Sequence, residues 1–249
     1  MPVISVVVGT YNRAGYLAEC IKSVFEQRGV SYELVISDDG STDGTADMVR
    51  SLAPDTTFVT AEHVGHPSIV YNRGIRAARG EFVAFCADDD MLMPDSLRIR
   101  YDRIKDRNGT ALACGGAAII FNDTTFAEAL ALWERNLLPL DSMHYADMSI
   151  LHGDSIMVPR VVMEKYGIFD EHPALRLGQD SELWVRWRHA GIEAVHCRVP
   201  VAFCRHHGAQ LNYDYDDDHV KVTTHEYRNR ILEERRRGIT AENTPMLGG

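Results

Sequence analysis

Short hydrophobic runs alternate with amphipathic segments over the first half of the chain. Val3–Val8 and Phe82–Cys86 are almost entirely apolar and short, which is typical of strands buried on both faces. Between them, apolar residues recur at the spacing of one helix face, at Leu17, Ile21, Val24 and Phe25. Because strands alternate with helices through short connections, we predict an α/β fold with a mostly parallel sheet and helices on both faces.

The same criteria assign the other elements of the first half, and the pattern becomes looser after residue 121. Further strands are predicted at 33–37, 58–60 and 111–121, and further helices at 46–52, 68–78 and 94–107. Later helices are predicted at 126–135, 161–166 and 180–190, and later strands at 156–158 and 194–204. We therefore divide the chain into 1–121, 122–211 and 212–249. The first two are halves of one domain, and the last holds an acidic loop and a charged helix.

Composition and charge narrow the functional classes. Of the 249 residues, 45% are hydrophobic and 25% charged, which is the balance of an ordinary globular protein. The net charge of −10 argues against nucleic acid as a partner, since such binding depends on basic contacts with phosphates. There is no run of 18 apolar residues, and the chain enters a strand pattern without a secretion signal. We therefore expect a cytoplasmic protein whose five scattered cysteines are reduced core residues.

A run of three carboxylates follows the strand predicted at 82–86. The sequence F-C-A-D-D-D-M-L-M-P places Asp88, Asp89 and Asp90 at the carboxyl end of that strand. Ligands of open α/β sheets bind at this edge. Adjacent carboxylates repel one another, and a divalent cation bound through one or two of them and through substrate phosphates would offset that repulsion. The alternative is a solvated acidic turn that caps the next helix.

Two further turns are expected at the same edge of the sheet. The turn Gly9–Arg13 follows the first strand, and its hydroxyl, amide and guanidinium groups suit a nucleotide or a phosphate. The alternative for this turn is a helix cap. Asp38 and Asp39 follow the second strand, where carboxylates can accept hydrogen bonds from a ribose or a base N–H.

Taken in order, these segments resemble the GT-A glycosyltransferases of the family 2 type. The resemblance is carried by V-V-V-G-T-Y-N-R, V-I-S-D-D-G-S-T-D-G-T and G-E-F-V-A-F-C-A-D-D-D-M-L-M-P, and later by M-V-P-R-V-V-M-E-K-Y-G-I-F-D-E and L-G-Q-D-S-E-L-W-V-R. It implies a Rossmann-like GT-A fold with a C-terminal extension on the acceptor side. It also implies a nucleotide-sugar-binding half at 1–121 and an acceptor-binding, catalytic half at 122–211.

The activity implied by the resemblance is sugar transfer from a nucleotide-diphosphate donor to an acceptor hydroxyl. Inversion is expected, with Mn²⁺ or Mg²⁺ as the metal. A UDP- or dTDP-sugar is the expected donor, and the acceptor is a glycan, a lipid-linked glycan or a small molecule of cell-wall or glycan biosynthesis. Two rivals remain open, a nucleotidyltransferase acting on sugar phosphates and a non-catalytic nucleotide-sugar-binding protein. A homodimer and a peripheral location at the inner membrane face are also left open.

The resemblance assigns roles to individual positions of this sequence. Thr10, Tyr11 and Asn12 match the nucleotide-contacting turn, with Arg13 as a further candidate contact. Asp39 matches the acid that reads the base, with Asp38 as its neighbour. Asp89 matches the metal-binding acid. The family's usual first Asp falls on Ala87 here, so Asp88, one place later, is the expected second carboxylate.

Three later positions complete the expected site. Asp180 matches the catalytic base, although its usual glutamate neighbour is Gln179 here and a helix N-cap is the alternative reading. His207 matches the family's R-x-H motif and is expected at the metal or the pyrophosphate, unless it is a surface histidine. Tyr71 replaces the family's usual arginine, which leaves His66 or Arg73 as candidate contacts for the donor phosphates.

Overall fold

The computed structural model describes residues 2–140, 153–176 and 179–208. The segment 212–249, with its predicted acidic loop and charged helix, lies outside the described residues. Parts of the second half, at 141–152, 177–178 and 209–211, also lie outside them.

Eight strands of the described chain form one twisted sheet with the order β3-β2-β1-β4-β7-β6-β8-β5. They are β1 (Ile4–Thr10), β2 (Tyr32–Asp38), β3 (Thr57–Thr60), β4 (Phe82–Ala87), β5 (Met91–Leu92), β6 (Ala111–Phe121), β7 (Met157–Pro159) and β8 (Glu193–His206). The strands β3, β2, β1 and β4 are parallel, as are β6 and β8. The antiparallel pairs are β4 with β7, β7 with β6, and β5 with β8. The prediction of a mostly parallel α/β sheet is therefore confirmed.

Helices cover both faces of the sheet, as predicted. They are α1 (Ala14–Phe25), α2 (Thr45–Leu52), α3 (Pro67–Ala77), α4 (Ser96–Ile104), α5 (Phe126–Glu134), α6 (Arg160–Tyr166) and α7 (Gln179–His189), with short 3₁₀ turns at Gly153–Ser155 and Pro173–Leu175. Leu17, Val49 and Leu97 bring α1, α2 and α4 into the core on one face. Ile75, Val162 and Trp187 bring α3, α6 and α7 into a second core on the other.

The segment after the acidic run differs from the prediction. Met91 and Leu92 form the short strand β5 and pair with Phe203 and Ala202 of β8. The helix α4 then begins at Ser96 instead of residue 94, because Asp95 adopts a left-handed conformation with φ of 61°. The acidic run is therefore held between β4 and β5, with its end fastened to β8.

Two global properties follow from the described residues. Among them, no helix combines the length and the apolarity needed to cross a membrane. All five cysteines of the chain are buried.

Candidate active site

The carboxyl ends of β1, β2 and β4 meet at one edge of the sheet. Thr10 of β1 lies beside Asp38 of β2, and Gly9 lies beside Ala87 of β4. Because neighbouring parallel strands end at the same edge, the three polar turns predicted from the sequence are brought together there.

A cavity of about 650 Å³ opens at this edge, which is within the size range of small-molecule sites. The predicted site residues that line it are Thr10, Tyr11, Arg13, Asp39, His66, Asp88, Asp89 and Asp180. Its apolar part is formed by Phe85, Phe169 and Trp184, whose ring centroids are 5.6–6.5 Å apart. The cavity thus joins the acidic turn after β4 to the first turn of α7.

Two buried carboxylates of the acidic run share one cationic partner. Arg13 Nη1 donates to Asp88 Oδ1 at 3.0 Å and to Asp89 Oδ2 at 2.7 Å. The other oxygen of Asp88 accepts a hydrogen bond from Thr10 Oγ1 at 2.7 Å. His207 Nε2 lies 3.1 Å from Asp89 Oδ2. Burial and the neighbouring charge of Asp89 raise the pKa of Asp88 to about 7, against the opposing effects of Arg13 and Thr10.

The third carboxylate of the run is engaged by β8. The backbone N–H of Arg205 donates to Asp90 Oδ1 at 2.6 Å, and Arg205 Nε donates to the carbonyl oxygen of Asp89 at 2.7 Å. Arg205 is only 1% exposed, and its guanidinium carbon lies 5.0 Å from the ring centroid of Tyr16. A buried cation on β8 therefore fixes the backbone that carries Asp89.

The donor set suits a hard divalent ion in part. Asp88 and Asp89 offer carboxylate oxygens, which are the ligands that Mg²⁺ prefers, and His207 Nε2 lies 3.1 Å from Asp89 Oδ2. Among the described residues, however, no group of three His, Cys, Asp or Glu side chains could hold a metal ion without further ligands. The protein residues present therefore fit an ion whose coordination is completed by substrate phosphates, as is usual for Mg²⁺.

Asp39 organises the wall of the cavity opposite the acidic run. Its carboxylate accepts hydrogen bonds from Gly65 N at 2.8 Å and from Val64 N at 3.1 Å, and lies 2.8 Å from His63 Nδ1. The ring of His63 stacks on Tyr11 with centroids 3.9 Å apart and planes at 18°. Since aromatic faces accept nucleobases by stacking, this wall combines a carboxylate acceptor with a stacked aromatic pair.

Asp38 and Asn12, like the candidates Arg73 and His207, are absent from the cavity lining. The carboxylate of Asp38 accepts hydrogen bonds from Ser41 N at 3.1 Å and Thr60 Oγ1 at 2.8 Å. Asn12 Oδ1 accepts one from Thr42 N at 2.7 Å. Both side chains thus shape the turn after β2, and within the described part of the chain neither contributes to the cavity lining. The nucleotide contact assigned to these two residues stays a prediction.

Asp180 lies in the first turn of α7, where a carboxylate interacts favourably with the helix dipole. The helix begins at Gln179, so Asp180 is inside the first turn instead of preceding it as an N-cap. Gln179 also lines the cavity, and its Oε1 is buried without a hydrogen-bond partner among the described residues. A buried acceptor of this kind is costly unless a ligand supplies the donor.

His66 and Arg73, the two candidate contacts for the donor phosphates, have different surroundings at the start of α3 and within it. His66 precedes Pro67 at the N-terminus of α3, lines the cavity and is 8% exposed. Its Nε2 lies 3.2 Å from the carbonyl oxygen of His172, whereas its Nδ1 is buried with no partner in the described chain. Arg73 Nη1 instead donates to the carbonyl oxygen of Asp38 at 2.8 Å. Of the two, His66 is the residue placed at the cavity.

Several cavity residues were missed by sequence reasoning. His63 and Arg176 line the cavity from loops with no periodic pattern, and no signal in the sequence points to them. Arg205 lies outside the cavity lining but holds the acidic run, and its place at the start of the R-H-H segment in which His207 was identified could have pointed to it. Tyr71, recognised as a departure from the family pattern, also lines the cavity and packs against Phe85 and Phe169.

Comparison with known proteins gives the family of the chain. The model described as glycosyl transferase family 2 matches residues 5–167. The succinoglycan biosynthesis protein ExoO of Rhizobium meliloti is 30% identical over 190 residues, which cover 72% of this chain and 54% of that protein. The chain spans 58% of the length of two further curated relatives, so it matches little more than half of such proteins.

Solved structures show the same fold. S. aureus TarS 1–349 in complex with UDP-GlcNAc has a TM-score of 0.65 at 16% identity, over 92% of this chain and 72% of that chain. The mannosyltransferase PcManGT of Pyrobaculum calidifontis, in complex with GDP-Man and Mn²⁺, has a TM-score of 0.61 at 21% identity, over 98% of this chain and 66% of that chain. Identities this low show the GT-A fold alone.

Proposed function

Because the chain belongs to glycosyl transferase family 2, we propose that it transfers a sugar from a nucleoside-diphosphate donor to an acceptor hydroxyl with inversion and with Mn²⁺ or Mg²⁺. One observation carries this proposal. Asp89 and Asp180 line the same cavity of about 650 Å³, although they come from different halves of the chain. A donor sugar bound between them has a metal-binding carboxylate on its diphosphate side and a candidate base on the other.

The nucleotide is proposed to bind between the turns after β1, β2 and β4. Tyr11 and His63 offer an aromatic face, and Asp39 offers a carboxylate that is already held by Val64 N and Gly65 N. Such a fixed acceptor suits the N–H of a base, as proposed for a UDP- or dTDP-sugar. TarS binds UDP-GlcNAc and PcManGT binds GDP-Man, which supports a nucleoside-diphosphate sugar as the donor class.

The diphosphate is proposed to lie over the acidic run. Asp89 and Asp88, with His207 against Asp89, would hold the ion. When bound, a divalent metal supplies Lewis-acid stabilisation of the charge that develops on the departing diphosphate. Arg205 holds the backbone carbonyl of Asp89, and Thr10 fixes one oxygen of Asp88. These contacts keep the two carboxylates in place while the leaving group separates.

Asp180 is proposed to remove the proton of the acceptor hydroxyl as its oxygen attacks the anomeric carbon. The neighbouring Gln179 is neutral and Glu182, the other acid of the first turn of α7, pairs with Arg186, so Asp180 is the carboxylate of that turn that lines the cavity. One base acting directly on the acceptor favours inversion over a covalent intermediate. The buried Gln179 Oε1 can accept a hydrogen bond from a sugar hydroxyl, and His66 Nδ1, which has no partner among the described residues, can make a further polar contact with the donor.

The acceptor side is proposed to be built by the second half, residues 122–211, around α7 and the 3₁₀ turn at Gly153–Ser155. Trp184 and Phe169 provide apolar and aromatic surface beside Asp180. Aromatic faces of this kind are suited to the apolar face of a sugar ring. The acceptor classes proposed are a glycan, a lipid-linked glycan and a small molecule with a free hydroxyl.

The experiment is a donor panel with a single-residue test of the base. Released nucleoside diphosphate is measured with UDP-, dTDP- and GDP-sugars, with Mn²⁺ or with chelator. Asp180→Asn should retain nucleotide binding and lose transfer by about 10²- to 10⁴-fold, which is the usual contribution of general-base catalysis. Asp102→Asn on the exposed face of α4 serves as the matched control and should leave turnover unchanged.

Two outcomes would contradict the proposal. Near-normal turnover of Asp180→Asn would remove the base assignment. Release of pyrophosphate in place of nucleoside diphosphate would assign the chain to nucleotidyl transfer.

A further inference from the structure

Arg13 occupies the position that a cation bridging Asp88 and Asp89 would need. One nitrogen, Nη1, lies 3.0 Å from Asp88 Oδ1 and 2.7 Å from Asp89 Oδ2. The carboxylate side chains are 6% and 10% exposed, so this ion pair is largely shielded from water. A divalent ion that bridged the same two oxygens would have to displace the guanidinium.

The other contacts of the turn restrict how the displacement can occur. Asp89 Oδ2 is also 3.1 Å from His207 Nε2, and Asp90 Oδ1 is engaged by the backbone of Arg205. Among the described residues, no three His, Cys, Asp or Glu side chains are grouped so that they could hold a metal ion by themselves. The described residues therefore offer an ion few ligands while Arg13 holds the carboxylates of Asp88 and Asp89.

We propose that Arg13 acts as a resident counter-ion of Asp88 and Asp89, so that a divalent ion gains this site only together with a nucleoside diphosphate. This inference rests on the proposed function. Displacing the guanidinium breaks two charge-assisted hydrogen bonds in a poorly solvated place, which opposes binding of the ion alone. A diphosphate supplies the missing oxygen ligands and is also an anion that the released guanidinium can pair with, since Arg matches phosphate geometry.

The predicted consequence is coupled binding. The nucleotide should raise the affinity for the ion, and the ion should raise the affinity for the nucleotide by the same factor. Coupling between sites is commonly 5- to 150-fold, and we expect a factor of about 10- to 100-fold here because the ion and Arg13 compete for the same two carboxylates. Arg13 is thus a positioning residue for the metal and a candidate contact for the diphosphate.

The test measures Mn²⁺ binding to the full chain without turnover. Free Mn²⁺ is followed by electron paramagnetic resonance in a titration of the protein with Mn²⁺ alone. It is repeated with UDP and with GDP, each corrected for Mn²⁺ binding to the nucleotide. In the unaltered protein, Mn²⁺ alone should bind at least about 10-fold more weakly than with a nucleotide that binds. Arg13→Gln should bind Mn²⁺ alone about 10-fold more tightly or better, and its coupling to the nucleotide should shrink.

Two control variants distinguish the effect of the positive charge at position 13 from a general disturbance of the site. Arg13→Lys retains a positive charge and should keep the weak binding of Mn²⁺ alone. Arg73→Gln removes an arginine that donates to the carbonyl oxygen of Asp38, and should leave Mn²⁺ binding unchanged. If Arg13→Gln fails to fold by circular dichroism, Arg13→Met, which keeps the length of the side chain but has no charge, replaces it and should show the same gain of affinity for Mn²⁺ alone.

The inference is overturned if Arg13→Gln binds Mn²⁺ no more tightly than the unaltered protein. Equal Mn²⁺ affinity with and without both nucleotides in the unaltered chain would also overturn it. These results are distinct from failure of the proposed function, which would appear as no release of nucleoside diphosphate from any donor while Arg13→Gln still gained affinity for Mn²⁺.

Discussion

Two acidic turns lie on either side of β1 and hold their carboxylates by different kinds of donor. After β2, the Asp39 carboxylate accepts hydrogen bonds from the backbone N–H groups of Val64 and Gly65. After β4, the carboxylates of Asp88 and Asp89 are held together by one side-chain nitrogen, Nη1 of Arg13. Backbone donors cannot leave without refolding the loop, whereas an arginine side chain can be exchanged for another cation.

This difference predicts a division of labour between the two turns. The turn after β2 is a fixed acceptor, suited to reading a ligand that arrives with its own N–H donors. The turn after β4 is a cation site whose occupant can change. The two turns have similar acidic sequences, D-D after β2 and D-D-D after β4. They are nevertheless suited to different ligands, because different groups hold their carboxylates.

The largest effect is expected from removing a negative charge from the turn after β4, where one cation can replace another. Asp89→Asn keeps the shape of the side chain but removes the anion that Arg13 and His207 contact. Changing the partners of a metal ligand commonly costs 10- to 100-fold in affinity, so loss of a direct ligand should cost at least about 100-fold in Mn²⁺-supported nucleotide binding. Calorimetric titration of nucleotide with and without Mn²⁺ measures this ratio.

The same substitution at Asp38 provides the matched comparison. Asp38 bonds Ser41 N and Thr60 Oγ1 in the fixed turn, so Asp38→Asn should leave the ratio of affinities with and without Mn²⁺ unchanged. A ratio that falls equally in both variants would show that the two turns do not differ in the way described.

An intermediate effect is expected from disturbing the fixed turn. Gly40 has φ of +79°, and a Cβ placed on it would lie 2.9 Å from both Ala61 O and His63 N. Gly40→Ala should therefore destabilise the fold by about 2–3 kcal/mol, through left-handed strain and a backbone clash. It should weaken nucleotide binding by displacing the loop that Asp39 holds, yet leave Mn²⁺ binding intact. Denaturant unfolding and the Mn²⁺ titration measure the two effects separately.

Gly44→Ala isolates the contribution of backbone strain. Gly44 also has a positive φ, of +88°, but a Cβ there would meet no described atom within 4 Å. This variant should lose only about 1–2 kcal/mol of stability. Equal losses in the two variants would mean that the packing of the turn against residues 61–63 contributes little.

The parallel part of this arrangement could be predicted from the sequence. Apolar runs such as 82–86 and the helical spacing after Leu17 identify β1–β4 and α1–α3 to within a few residues, and strand ends with polar letters identify the edge that carries the cavity. The antiparallel pairing of β7 with β4 and β6 could not be predicted, because β7 is three residues long and its neighbours are distant in sequence. The strand β5 has two residues and leaves no periodic signal.

Partners of the candidate residues were harder to predict than the residues themselves. Asp39 was identified as a candidate, but His63 is 24 residues away in a loop, and their contact depends on how β3 places that loop. Asp38 looked equivalent to Asp39, yet Thr60, at the end of β3, engages it. The physical reason is that the donors bound to a carboxylate come from segments that are distant in sequence. Which of them reach it depends on how the strands pair, and a local sequence pattern does not contain that information.

The smallest effect is expected at Asp43, which links the fixed turn to the N-terminus of α1. Partial burial acts to raise its pKa, but hydrogen bonds from Ala14 N, Thr45 Oγ1 and Thr45 N outweigh burial and hold the pKa of Asp43 below its usual range. A carboxyl with a depressed folded-state pKa stabilises the fold above the unfolded value of 3.8, and this contribution disappears as the pH falls through the lower folded-state value.

Because Asp43 is exposed, Asp43→Asn should cost less than about 1 kcal/mol at neutral pH. The stability difference between the two proteins should be constant from pH 7 to about pH 5 and should shrink below about pH 4, as the aspartate takes up its proton. Thermal unfolding across this pH range measures the difference. A gap that instead widened in acid would mean that the N–H groups of Ala14 and Thr45 do not prefer the charged form. Backbone donors would then not hold the turn after β2 at Asp43. The difference from the turn after β4 would rest on Asp39 alone.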